Sequence, residues 1–127
     1  MIWNIEGKEV KIKLKKKKKG GSLLHKIAYQ ILRELYPFDQ IFQEVFLPKV
    51  KLYIDILLET RKLIIEINGP QHYEFIEHFH QNKLNFVKAQ ARDRKKKQIS
   101  EDNGFKVISL KYNEQDQWKQ QIMQNNS

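Results

Sequence analysis

The sequence predicts a mixed α/β layer fold, a central sheet flanked by helices, in the order helix, three strands, helix, strand, helix. Apolar residues recur at helical spacing over 22–35, and two short runs rich in Ile and Leu fall at 51–58 and 62–68. A third apolar run alternates over 105–112, after a long segment free of Gly and Pro.

The chain has 127 residues, 40% of them hydrophobic, which suffices for one domain with its own core. It has no cysteine. Disulfides, thiolate metal sites and thiol nucleophiles are thereby excluded, and a reducing compartment is compatible. Lys and Arg total 24 against 15 acids, a formal net charge of +9. Such an excess favours a polyanion, either nucleic acid or an anionic membrane surface. No apolar stretch approaches the ~20 residues of a membrane span, and no apolar core follows the early N-terminal charge. The expectation is a soluble, cytoplasmic protein facing nucleic acid, with no membrane partner.

Residues 1–21 read as a basic arm, separate from a single folded unit over 22–127. Val10, Ile12 and Leu14 alternate with Lys11 and Lys13, as in an exposed strand. Lys15, Lys16, Lys17, Lys18 and Lys19 follow, then Gly20-Gly21 as a flexible break. The lysine run reads as a solvated tail or as a phosphate grip. Ser22 can cap a helix reaching about Leu35, with Leu23, Leu24, Ile27, Ile31 and Leu35 on one stripe and Pro37 ending it. Residues 41–47 are short and strand-like, up to Pro48. Strands at 51–58 and 62–68 flank a tight turn, and Gly69-Pro70 breaks the second. A polar and aromatic stretch fills 71–82. A long helix over 83–102 ends at Asn103-Gly104, a strand follows at 105–112, and 113–124 suits a closing helix. Trp3 and Trp118 are assigned to core packing by default.

Each of the two central runs carries an acid at its middle: Leu52-Tyr53-Ile54-Asp55-Ile56-Leu57 and Leu63-Ile64-Ile65-Glu66-Ile67-Asn68. A carboxylate among isoleucines is costly unless it is paired or binds a cation. A hairpin whose turn is centred between Thr60 and Arg61 puts Asp55 opposite Glu66 on one face, with Asn68 further along it. Two like charges so placed repel, and a divalent cation is the simplest relief; Mg²⁺ suits two carboxylates completed by water and a phosphate oxygen. The plainer alternative is that both acids pair with lysines at the strand ends.

Together with Asp55, the string Glu66-x-Asn68-Gly69-x-Gln71-His72-Tyr73 and the later Arg92-Asp93-x-x-Lys96 resemble the Vsr-like branch of the PD-(D/E)XK nucleases. That branch includes small phage endonucleases and the EDxHD homing endonucleases. The resemblance covers roughly residues 22–113 and implies a restriction-endonuclease-like core, a Mg²⁺-dependent (or Mn²⁺-dependent) DNA endonuclease and a phage-like origin. It makes Asp55 and Glu66 metal ligands and His72 the base, or the residue positioning the attacking water. Gln71 would orient water or phosphate, and Asp93 and Lys96 would complete the charge network. Two positions depart from the pattern. The first helix begins Ser22-Leu23-Leu24-His25 where members often have Ser-x-x-Glu, so His25, Glu34 or Glu44 would have to stand in for the missing acid. Asn68 replaces the usual Lys or Asp, which moves the base role towards His72.

Arg92, Arg94, Lys95 and Lys97 form a basic stripe beside Asp93, read as phosphate contacts in preference to a solvated face. His78 and His80 lie among aromatics, where packing is the favoured reading over zinc. A chain this short would be helped by a homodimer or a separate targeting protein. Two rival functions remain: a non-catalytic binding module, since residues 65–72 and 104–112 also resemble the RNA-binding RAP domain, and an assembly protein of a larger nucleoprotein complex.

Overall fold

A computed structural model of the chain describes residues 1–15 and 22–125, the side chains of residues 78 and 79 excepted. The expected contacts of Lys16, Lys17, Lys18 and Lys19, the Gly20-Gly21 break and the His78 side chain lie outside the described residues.

The predicted helix is α1, Leu23–Leu35, capped where the His25 amide donates to Ser22 Oγ at 3.4 Å. Strands β3 (Phe42–Leu47), β4 (Leu52–Leu58) and β5 (Leu63–Asn68) follow, then helix α3 (Lys83–Asp102), β6 (Lys106–Lys111) and α4 (Gln115–Asn125). The polar and aromatic stretch after β5 holds a 3₁₀ turn at Pro70–His72 and a short helix α2, Glu77–His80. The sheet is four-stranded and mixed, in the order β3-β4-β5-β6, with β5 and β6 parallel and the other pairs antiparallel. The β4–β5 hairpin has the expected register: Ile56 pairs with Ile65, Leu57 with Ile64 and Leu58 with Leu63. Among the described residues no helix is long and apolar enough to cross a membrane.

The sheet separates two apolar layers. On one face Ile56, Leu58, Leu63, Ile65, Ile67 and Leu110 pack against Ala28 and Leu32 of α1 and Trp118 and Ile122 of α4. On the other, Leu57 and Ile64 meet Ile99 and Phe105 at the end of α3, with Trp3, Ile5 and Ile12. Covered on both sides, β5 is buried from Leu63 to Ile67, apolar but for Glu66, as befits the central strand of a three-layer fold. Both tryptophans are in the core as expected, and the Trp118 indole N–H donates to the Lys111 carbonyl at 2.9 Å.

The N-terminal residues correct the expectation of an exposed arm. Strands β1 (Ile2–Ile5) and β2 (Lys8–Lys11) form a hairpin around Glu6-Gly7, both at positive φ (53° and 81°), the geometry that a two-residue hairpin turn demands. Trp3, Ile5 and Ile12 are buried under it. The alternation of Val10, Ile12 and Leu14 therefore marks an inward face, although the strand itself ends at Lys11. The partner, Ile2–Ile5, is too short to announce itself. Asn103, the residue capping α3, holds the hairpin in place: its side chain accepts from the Asn4 amide at 2.8 Å and donates to the Asn4 carbonyl at 2.9 Å.

Candidate active site

Beyond Ile56 and Ile65 the β4–β5 ladder stops, and side chains replace backbone partners. The Asp55 amide donates to Glu66 Oε2 at 2.9 Å, and the Ile67 amide donates to Asp55 Oδ2 at 2.9 Å. Each acid is thus fixed on the other acid's strand, and the two carboxylates converge as the hairpin register requires. Alternation slips here too. Ile54 and Leu57, three residues apart, face the same layer, while on β3 the corresponding break falls at Glu44, which adopts φ 49°.

Lys96 reaches the acids from α3. Its ammonium contacts Glu66 Oε1 and donates to the Tyr53 carbonyl at 2.8 Å. The acid–lysine pairing weighed from sequence is therefore present, but its lysine comes from the long helix and not from a strand end. Glu66 is only 8% exposed. Burial, and next the Asp55 charge, push its carboxyl up to about 7 despite Lys96. Burial likewise raises Asp55, opposed by the Ile67 amide and Lys96. Burial of Lys96 disfavours its charge, yet the attraction of Glu66, Asp55 and Asp93 prevails and raises it.

A second pair stands beside the first. His72 Nδ1 and Asp93 Oδ2 are 2.7 Å apart, and this hydrogen bond raises the imidazole, with burial opposing it. Asp93 fixes which ring nitrogen is engaged and leaves Nε2 for chemistry. His72 also acts electrostatically on Asp55, so the two pairs belong to one field. Gln71 shares a cavity of about 270 Å³ with His72, Arg92 and Asp93. Its amide lies where a Cβ on residue 69 would sit, 2.5 Å from Oε1, so Gly69 is required for close approach. Sequence reasoning used Gly69 only as a strand breaker. Asn68 donates to the Tyr73 hydroxyl at 3.4 Å.

Of the three substitutes for the first-helix acid, His25 is the one the fold brings close, with Nε2 3.9 Å from Asp55 Oδ1. Glu34 sits near the far end of α1 and takes a hydrogen bond from Gln30. Glu44 lines a different recess with Lys11, Lys13 and Lys15. The basic stripe is also divided. Arg94 and Lys97 line a cavity of about 150 Å³ with Glu66 and Lys96, and Arg92 lines the one beside His72. Lys95 pairs with Glu6 of the hairpin turn at 2.7 Å, both side chains half-exposed. His80 is buried, accepts from the Ile76 amide at 3.0 Å and lies 5.0 Å from the Phe86 ring, in keeping with the packing reading.

Among the described residues no group of three or more His, Cys, Asp or Glu side chains could hold a metal ion. That donor set does not suit zinc, which takes three or four protein ligands. Two desolvated carboxylates with raised proton affinity do suit Mg²⁺, which keeps most of its waters.

No family model matches the chain, and no solved structure matches it. Among curated proteins, 65 residues (51% of the chain) are 43% identical to uncharacterized protein 307L of Invertebrate iridescent virus 6, over 33% of that protein. A stretch of 61 residues (48% of the chain) is 39% identical to uncharacterized protein 033L of Invertebrate iridescent virus 3, over 31% of its length. The matched stretches span about a third of these curated relatives.

Proposed function

We propose that the chain is a metal-dependent nuclease of the PD-(D/E)XK kind, in its Vsr-like branch, hydrolysing phosphodiester bonds in DNA on a restriction-endonuclease-like core. The observation that carries this reading is the buried pair Asp55 and Glu66, each bonded to the other's strand, with Lys96 on Glu66 and the His72–Asp93 pair alongside. Asp55 and Glu66 would hold Mg²⁺, for which Mn²⁺ can substitute. Once bound, the ion supplies Lewis acidity towards the scissile phosphate. Lys96 keeps a positive charge beside the acids and steadies the anionic phosphoryl group as charge develops on it. His72, held by Asp93, takes a proton from the attacking water through Nε2. Because that ring is raised above its ordinary value, its basic form grows as pH rises past neutrality. Arg92, Arg94 and Lys97 grip flanking phosphates and give salt-sensitive affinity.

The likeness to proteins of two invertebrate iridescent viruses supports a viral setting. A homodimer or a separate targeting protein would supply site choice. A second reading, a binding-only module on the same scaffold, is favoured by Lys96, which neutralises Glu66 without an ion. Supercoiled plasmid incubated with Mg²⁺, Mn²⁺ or EDTA separates the two. We expect metal-dependent nicking or cutting that falls at least about 100-fold in Asp55→Asn and Glu66→Gln with DNA binding kept. Salt-dependent binding without metal-dependent products in the wild-type protein would leave the binding module standing and end the nuclease reading.

A further inference from the structure

A second recess, of about 450 Å³, opens at the β3–β4 end of the sheet and takes no part in the chemistry above. Its apolar wall holds Phe46 and Tyr53, register partners on adjacent strands whose ring centroids are 5.1 Å apart and tilted by 51°. Both are unusually exposed for aromatics in a sheet, 40% and 56%. Its other wall is basic. Ile12 is buried and Leu14 half-buried, so Lys11, Lys13 and Lys15 are the exposed members of that alternation and line the recess together. Glu44 lines it as well. The groove is also tied to the acids: the Tyr53 carbonyl receives Lys96, and Tyr53 precedes Asp55 by two residues on β4.

We propose that this groove binds an unpaired stretch of nucleic acid, with bases stacked on Phe46 and Tyr53 and phosphates along Lys11, Lys13 and Lys15. The chemistry of the two walls argues for a single strand over a duplex. Lysines would serve any polyanion, but exposed rings gain only from a base whose flat face is uncovered, as in an unpaired strand. A duplex hides those faces in its own stack and would leave both rings in water.

Binding measured in EDTA tests the groove independently of cutting. Fluorescence anisotropy would follow labelled oligo(dT), oligo(U) and a mixed-sequence duplex, each about twenty nucleotides long, more than one stacking platform covers. We expect the single strands to bind more tightly than the duplex. The double substitution Phe46→Ala with Tyr53→Ala should weaken the single strands about ten-fold or more and the duplex less than about two-fold. Tyr53→Phe, which keeps the ring, should bind like the wild type and controls for folding. Lys11→Gln with Lys13→Gln should flatten the salt dependence. The stronger of the dT and U arms identifies which of these two strands is preferred. Equal losses on single strand and duplex, or single-strand affinity untouched by removal of both rings, overturns the proposal. A chain that binds strands here and cuts nothing upholds the groove while sinking the nuclease.

Discussion

Glu66 occupies a position where its neighbours on β5 are isoleucines, and its proton is the most informative one in the molecule. In the folded chain Asp55 and Glu66 hold protons to higher pH than ordinary carboxyls, and His72 holds its proton above the ordinary imidazole range. The native state therefore binds more protons than the unfolded chain from the usual carboxylate range up through neutrality. Stability must fall as pH rises through that window. On the proposed reading, a cation held by the two carboxylates would compete with those protons and offset the trend. Thermal unfolding in EDTA should show Tm dropping by about 5 °C between about pH 5 and about pH 8. Millimolar Mg²⁺ should remove most of the drop, and Glu66→Gln should flatten it. A Tm that climbs with pH in EDTA would contradict the electrostatics described for this pair.

The segment from the end of β5 into the 3₁₀ turn shows how backbone and side chain share one task. Gly69 is extended, with φ −76°, so no unusual conformation calls for glycine there; the Gln71 amide does, by filling the space of the missing Cβ. Gly69→Ala should swing Gln71 aside at a cost below about 1 kcal/mol, since only the end of a flexible side chain must move. On the proposed nuclease reading, cleavage should fall about ten-fold, matching Gln71→Ala. Denaturation midpoints and initial rates check this, and full activity in Gly69→Ala beside an impaired Gln71→Ala would refute it. The four strands of the main sheet and α1 were readable from period and caps, and α3 from its freedom from Gly and Pro: Ser22 and Asn103 mark helix ends, and the Asp55–Glu66 register follows from the turn between Thr60 and Arg61. The slip in alternation at Asp55, the kink at Glu44 and the Phe46–Tyr53 pair were not readable. They depend on which residues meet across strands, and no periodicity within one strand encodes that.

For the whole molecule the notable feature is how the second apolar layer closes. α3 and the connection after it supply Ile99 and Phe105, and the hairpin supplies Trp3, whose ring lies 5.2 Å from that of Phe105. Trp3 Nε1 is buried and has no hydrogen-bond partner among the described residues, a cost the packing must outweigh. Trp3→Ala should therefore lose about 3–5 kcal/mol, whereas Trp3→Phe, which removes the stranded N–H, should stay within about 1 kcal/mol of wild type. Urea titration gives both values, and a large loss in Trp3→Phe would mean that the indole N–H has an acceptor after all. The bonds between Asn4 and Asn103 join positions 99 apart in sequence. During synthesis on the ribosome, Trp3 and Ile5 therefore stay uncovered until Asn103 has emerged. The greasy face of the first strand is then a natural target for chaperones in the interval.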